Sequence, residues 1–331
     1  MRLLYLSCHA ILEYDDLKIF EELGIDYFSL GAYTIPTKEV EGVRPALTHK
    51  PDEKLYSILP EDKEHLTKVF LDNFDVIIVM HTPEWIEKNW EVLKGRRVIW
   101  RTIGQSVTSV ENRLRRMRNE GLQIVRYSPK EQNIAGNLGC DKMIRFYKDE
   151  NEFCNYNGLN PIAITIAQNM KHRGEFCNYE AFTKIIEGLN AKLYGIQNEE
   201  SGELSGGSLS FDDLKQKLRD SRVFIYTGTQ PASYTLGFME AFMTGIPIVA
   251  LGDKWANSMR LAGDTYEIPD FIVNGVNGFV SDDLDLLREY TKQLLEDHKL
   301  ALRIGEMGRD TARDIFSKEK VKFAWKEFLG I

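Results

Sequence analysis

Residues 223–250 read VFIYTGTQPASYTLGFMEAFMTGIPIVA. The stretch opens with an apolar run at Val223–Tyr226, passes through a polar, glycine-containing loop and closes on a second apolar run at Ile246–Ala250. The spacing predicts a strand, a helix over Phe238–Phe242 and a second strand, the repeating unit of a parallel sheet covered by helices. Gly237 lets the loop approach closely ahead of the helix. Thr235 is placed to cap the helix, and Glu240 falls in its expected first turn.

The same grammar extends in both directions. Pro161–Ala167 and Ala191–Tyr194 read as strands, Tyr179–Leu189 and Phe211–Leu218 as helices, and 201–210 as a flexible loop. In the first half Leu3–Leu6, Tyr27–Leu30, Val76–Met80, Val98–Trp100 and Gln123–Tyr127 read as strands. Helices are expected at Asp16–Leu23 and near Glu61–Phe70. Residues 31–60 read as a long loop of the kind that carries binding groups. The run VIIVM at 76–80 is apolar on both faces, as in a buried parallel strand. From Asp283 onward the chain is helical, with a break expected around Gly305–Gly308. The expected fold is α/β with two Rossmann-like parallel-sheet domains, 1–150 and 151–317, followed by a terminal helix at 318–331. FCNYNGLNP at 153–161 suits the linker.

The chain has 331 residues, enough for two domains without disulfide or metal support. A formal charge of −8 argues against general nucleic-acid binding. No two of Cys8, Cys140, Cys154 and Cys177 form a CxxC pair, so neither zinc nor a disulfide framework is expected. MRLLYLSCHAILEYDD does not read as a signal peptide and no run approaches 18 apolar residues, making the cytoplasm the default location. The 96–118 segment carries seven arginines against one acid, Glu111. It reads as a solvated helix surface or, alternatively, as a basic patch for peripheral contact with anionic lipid or an acidic acceptor.

Residues 223–250 resemble the donor-binding segment of GT-B glycosyltransferases, particularly the retaining family 4, "glycosyl transferases group 1". Gly237–Phe238, Glu240–Ala241 and Gly245–Ala250 match its Gly-Phe, Glu-Ala and G-x-P-V-V-A elements. IVNGVNGFV at 272–280 and the tail at 294–321 are similar to later parts of the family's pattern, whereas the first half agrees only in organisation. The resemblance implies a GT-B-like pair of sheet domains facing a cleft, with 1–150 on the acceptor side, 151–317 binding nucleotide sugar, and 318–331 packing back on the first domain. It implies a nucleotide-diphosphate sugar as donor, transfer with retention, and no required cofactor or metal. The implied acceptor is an unidentified glycan, lipid-linked or small-molecule compound. Glu240 would take the ribose diol. Lys171 or Arg173, after the first strand of the second half, would clamp the diphosphate, with His172 a bystander. His81 would contact the donor sugar, with His9 and Arg101 as rivals at neighbouring strand ends. Gly237, Thr235, Phe238 and Gly195 complete the donor set, Gly195 reading either as room for the base or as an ordinary turn glycine. The family's E-x7-E pattern loses its first member, since that position is Ala232, and Asn169 and Arg173 stand where the family often has Arg and Lys. A catalytically degenerate nucleotide- or glycan-binding protein and another GT-B sugar-phosphate enzyme, such as an epimerase, stay open as alternatives. A dinucleotide oxidoreductase is disfavoured, because no first strand leads into G-x-G-x-x-G.

Overall fold

The computed structural model describes residues 1–35 and 44–331. The chain forms two compact units, one of Met1–Phe146 with Glu319–Ile331, the other of Tyr147–Lys318. Each is built on a wholly parallel sheet.

The first unit contains β1 (Arg2–Ser7), β2 (Asp26–Ser29), β3 (Val76–Met80), β4 (Val98–Arg101), β5 (Gln123–Arg126) and β6 (Lys142–Met143), in the order β2-β1-β3-β4-β5-β6. All of β3 and β4 is buried, which is why they read as unbroken apolar runs rather than alternating ones. Phe28, Ile77, Val79, Trp90, Trp100 and Leu114 belong to one core. The first helix spans Ala10–Glu22, six residues earlier than its apolar spacing suggests, because Glu13, Asp15 and Asp16 are buried inside it. Its N-cap is His9, whose Nδ1 accepts from Leu12 N–H at 3.4 Å. The single helix expected near 61–70 is replaced by Glu53–Ile58 and Lys68–Leu71. Part of the expected 31–60 loop, residues 36–43, lies outside the described residues.

The second unit contains β7 (Asn160–Ile166), β8 (Ala191–Tyr194), β9 (Ser221–Tyr226), β10 (Ile248–Leu251) and β11 (Phe279–Ser281), in the order β11-β10-β9-β7-β8. Helix Leu236–Thr244 connects β9 to β10 and ends on Gly245 at φ +91°. The break expected around Gly305–Gly308 does not occur, since one helix runs from His298 to Ile315. A Cβ on Gly305 would lie 3.1 Å from the carbonyl carbon of Gly245 and closer to its oxygen. The glycine therefore permits two helices to touch along their backbones, a packing role that outweighs its poor helix propensity.

The arginine-rich segment is neutralised within its own unit. Arg113 pairs with Glu84 and Glu87, Arg116 with Glu91 and Glu120, Arg118 with Asp141 and Arg96 with Asp72. Arg97 donates to the carbonyls of Phe328 and Leu329, and Arg115 to that of Gly136. The helix carrying Glu84, Glu87 and Glu91 thus offsets the charge that suggested a lipid-binding patch. Among the described residues no helix is long and apolar enough to cross a membrane.

Candidate functional site

In an open parallel sheet, ligands bind beyond the carboxyl ends of the strands, where the strand order reverses direction. In the second unit that point lies between β7 and β9, which are adjacent and lead outward to β8 and to β10 respectively. Three segments meet there: the chain after β7, the chain after β8, and the start of helix Leu236–Thr244. A Cβ on Gly237 would stand 3.5 Å from the carbonyl oxygen of Ile166, the last residue of β7. The first turn of the helix therefore sits directly over the strand end. Its N-terminal N–H groups and partial positive charge make this position suited to an anion.

Thr235 is the N-cap in extended conformation, but its hydroxyl makes no capping bond to the helix. The helix begins two residues before Phe238, which moves Glu240 into the second turn and ends the reading of that carboxylate as a first-turn residue. Glu240 is buried, with Oε1 3.2 Å from Lys148 Nζ. Phe238 is fully buried and packs on Tyr226, Phe242, Phe271 and Phe316. Its role is to seat the helix on the sheet, and the expectation that it contacts a ligand is corrected.

Lys171 and Arg173 lie on the single turn Met170–Arg173 that follows β7. Lys171 is exposed and donates to Glu200 O at 2.8 Å, while Arg173 is half-buried. The turn is entered through Asn169 in the left-handed region at φ +47°, which an asparagine tolerates better than most residues. Asn198, which sequence reading missed, holds the turn in place. It is buried, its Nδ2 donates to Ala167 O at 2.7 Å and Gly195 O at 3.0 Å, and its Oδ1 accepts from Met170 N–H at 2.9 Å. One amide therefore fastens the segments after β7 and β8 together. Gly195 has φ +130°, and a Cβ there would lie 2.9 Å from the carbonyl carbon of Ala167 and nearer still to its oxygen. The close approach of two backbones requires the glycine.

Gln230 does comparable work for the loop after β9. It is buried, with Nε2 donating to Glu175 O, Trp255 O and Ser258 Oγ and Oε1 accepting from Met259 N–H. Two further bonds tie the same strand end to residues 177–178, Asn178 Nδ2 donating to Thr227 O and Thr227 Oγ1 to Cys177 O. No motif marks these side chains, because their roles depend on carbonyls remote in sequence. Ala232 is buried in the same loop.

The remaining candidates belong to the first unit, where the sheet order reverses between β1 and β3. His81 follows β3 in the left-handed region at φ +44°, its N–H donating to Arg101 O at 3.1 Å. Its ring stacks on Trp100, with centroids 6.5 Å apart. Burial holds its proton affinity below that of a free imidazole, against the opposing pull of Glu84. Arg101, by contrast, is fully buried. Its guanidinium donates to Ile144 O and Arg145 O, lies 3.5 Å from Asp16 and covers the rings of Phe146 and Trp325. A guanidinium enclosed in this way anchors residues 144–146 and the terminal helix Lys318–Leu329 to the first sheet. The expectation that Arg101 reaches a substrate is corrected. Among the described residues no three His, Cys, Asp or Glu side chains gather as a metal site.

Comparison with known proteins finds no matching family model and no matching curated protein sequence. Solved structures do match over the full length. HepE from Anabaena, solved with UDP, is 14% identical with a TM-score of 0.68, covering 100% of both chains; it has also been solved with UDP-glucose. Sucrose-phosphate synthase from Thermosynechococcus elongatus is 14% identical with a TM-score of 0.67, covering 99% of this chain and 98% of that one. A glycosyltransferase from Rickettsia africae is 14% identical with a TM-score of 0.66 and the same coverage. With two Rossmann-like parallel sheets and closing C-terminal helices, and with these likenesses across its whole length, the chain has the GT-B fold.

Proposed function

We propose that the chain is a glycosyltransferase that takes a nucleotide-diphosphate sugar as donor and transfers the sugar with retention to a glycan, lipid-linked or small-molecule acceptor. The observation that carries this reading is the start of helix Leu236–Thr244 lying over the end of β7, the strand that the basic turn Met170–Arg173 follows. A departing diphosphate accumulates negative charge, and fixed N–H dipoles together with a guanidinium stabilise that charge. Arg173 supplies a planar fork of donors and Lys171 a mobile point charge. Glu240 accepts hydrogen bonds from the ribose diol. HepE has been solved with UDP and UDP-glucose, which makes uracil nucleotides the first probes.

Ala232 favours a second reading. With a methyl group where the resembling family has a carboxylate, the chain would bind nucleotide sugar without turning it over. A melting-temperature panel of nucleotides and nucleotide sugars identifies the ligand, because selective binding raises apparent stability by mass action. Sugar release and transfer from the preferred donor then separate the two readings. Replacing Lys171 and Arg173 together by alanine should weaken UDP far more than uridine, and equal losses would remove the basic turn from the phosphate site. Stabilisation by a donor with neither hydrolysis nor transfer to a broad acceptor panel favours the binding protein. A panel in which no nucleotide stabilises the chain refutes both.

A further inference from the structure

Lys148 carries no motif and lies at the start of the second unit, yet its side chain is only 2% exposed. Its ammonium stands 3.2 Å from Glu240 Oε1, in a pair whose carboxylate member is 5% exposed. The Phe153 ring centroid is 5.7 Å from Nζ. The backbone around Lys148 is held independently of that side chain. Lys148 N–H donates to Phe316 O at 3.4 Å, Asp149 pairs with Lys318 at 3.1 Å, and Glu150 O accepts from Arg309 Nη2 at 2.7 Å. The ammonium is therefore delivered to Glu240 by a segment clamped to the helix His298–Ile315 and to the residues that follow it.

A carboxylate this deeply buried is costly to keep ionised without a compensating charge, and a flexible glutamate has several rotamers to choose among. A ribose diol is bound best by an ionised carboxylate already fixed in place, since both charge and preorganisation strengthen the bonds it accepts. We propose that Lys148 is a positioning residue for nucleotide recognition, holding the Glu240 carboxylate in a single orientation for the ribose hydroxyls. The proposal rests on the reading of Glu240 as the ribose acceptor.

The test is calorimetric titration of the full chain and its Lys148→Met, Lys148→Arg and Glu240→Gln variants with UDP and with 2′,3′-dideoxyuridine diphosphate. Wild type should prefer the ribonucleotide by about tenfold or more. Lys148→Met should lose most of that preference by weakening UDP while leaving the dideoxy analogue unchanged, and Lys148→Arg, which keeps the charge, should restore most of it. A role confined to packing would weaken both ligands together and leave their ratio intact, so an unchanged ratio in Lys148→Met overturns the proposal. Where the methionine variant does not fold, Lys148→Gln, which retains an N–H donor without the charge, is expected to show the same loss of ratio, and an unchanged ratio there also overturns it. If wild type itself does not distinguish the two ligands, the ribose reading of Glu240 fails and this proposal fails with it. If wild type distinguishes them, Glu240→Gln abolishes the difference and Lys148→Met does not, only the positioning role is lost.

Discussion

Gly195→Ala tests the local geometry of the candidate site without altering any charge. Two costs are expected. At φ +130° an L side chain is strained, which costs about 1–2 kcal/mol wherever such a backbone is retained. The new Cβ would also meet the Ala167 carbonyl and stand 3.2 Å from Asn198 Nδ2. Neither of those groups moves freely, because Asn198 Nδ2 already donates to both Ala167 O and Gly195 O. Displacing the segments enough to relieve the clash weakens at least one buried hydrogen bond, at about 1–2 kcal/mol more. The sum, roughly 2–4 kcal/mol, is a fraction of ordinary domain stability, so the variant should fold. Gly188→Ala is the control. Its φ is +74°, but no atom lies within 4 Å of the position of the new Cβ, so it carries backbone strain alone. The assay is thermal unfolding followed by far-ultraviolet circular dichroism, paired with UDP titration. At about 2–4 °C per kcal/mol for a unit of this size, Gly195→Ala should melt several degrees below Gly188→Ala and bind UDP more weakly, while Gly188→Ala keeps wild-type affinity. Equal melting temperatures for the two variants would refute the claim that Gly195 is there for a close backbone approach.

Other consequences can be checked in the same way. Burial lifts the Glu131 carboxyl to about 7 in the folded chain, against an ordinary value of 4.5. The folded state therefore binds the extra proton between those values, stability falls as pH rises through about 4.5 to 7, and Glu131→Gln should flatten that part of a melting-temperature profile. Arg126→Met should destabilise the first unit by roughly 3–5 kcal/mol, because Glu111, fully buried and bonded by Arg126 at 2.8 and 2.9 Å, loses its counter-charge; a urea midpoint near that of wild type would contradict this. Glu240→Gln should reduce UDP affinity by roughly 1–3 kcal/mol in calorimetry, and an unaltered affinity would take the ribose away from Glu240.

Much of this architecture is written in local patterns. VIIVM at 76–80 and IVAL within 246–251 are apolar on both faces because central parallel strands are covered on both sides, and they are found as β3 and β10. The first helix was harder to place, since Tyr5 OH donates to Asp16 at 2.7 Å in the interior and charged residues there interrupt the apolar period. Propensity marks Gly305 as a break because it speaks only for one helix, whereas the lack of a Cβ serves the contact between two.

From the sequence alone came the alternation of strand and helix, the two parallel-sheet halves and a helix between the strands now seen as β9 and β10, all properties of neighbouring residues and their periodicity. Only the tertiary structure decided which charged side chains are exposed and what they touch. Arg101 and Arg113 look alike in sequence, yet one is sealed between Asp16 and two aromatic rings and the other pairs with glutamates at the surface. Lys148 and Glu240 stand 92 positions apart and meet at 3.2 Å. Periodicity records which face of an element is covered, but the partner of a charge is set by elements distant in the chain, and so it emerges only when the sheet and its helices are assembled.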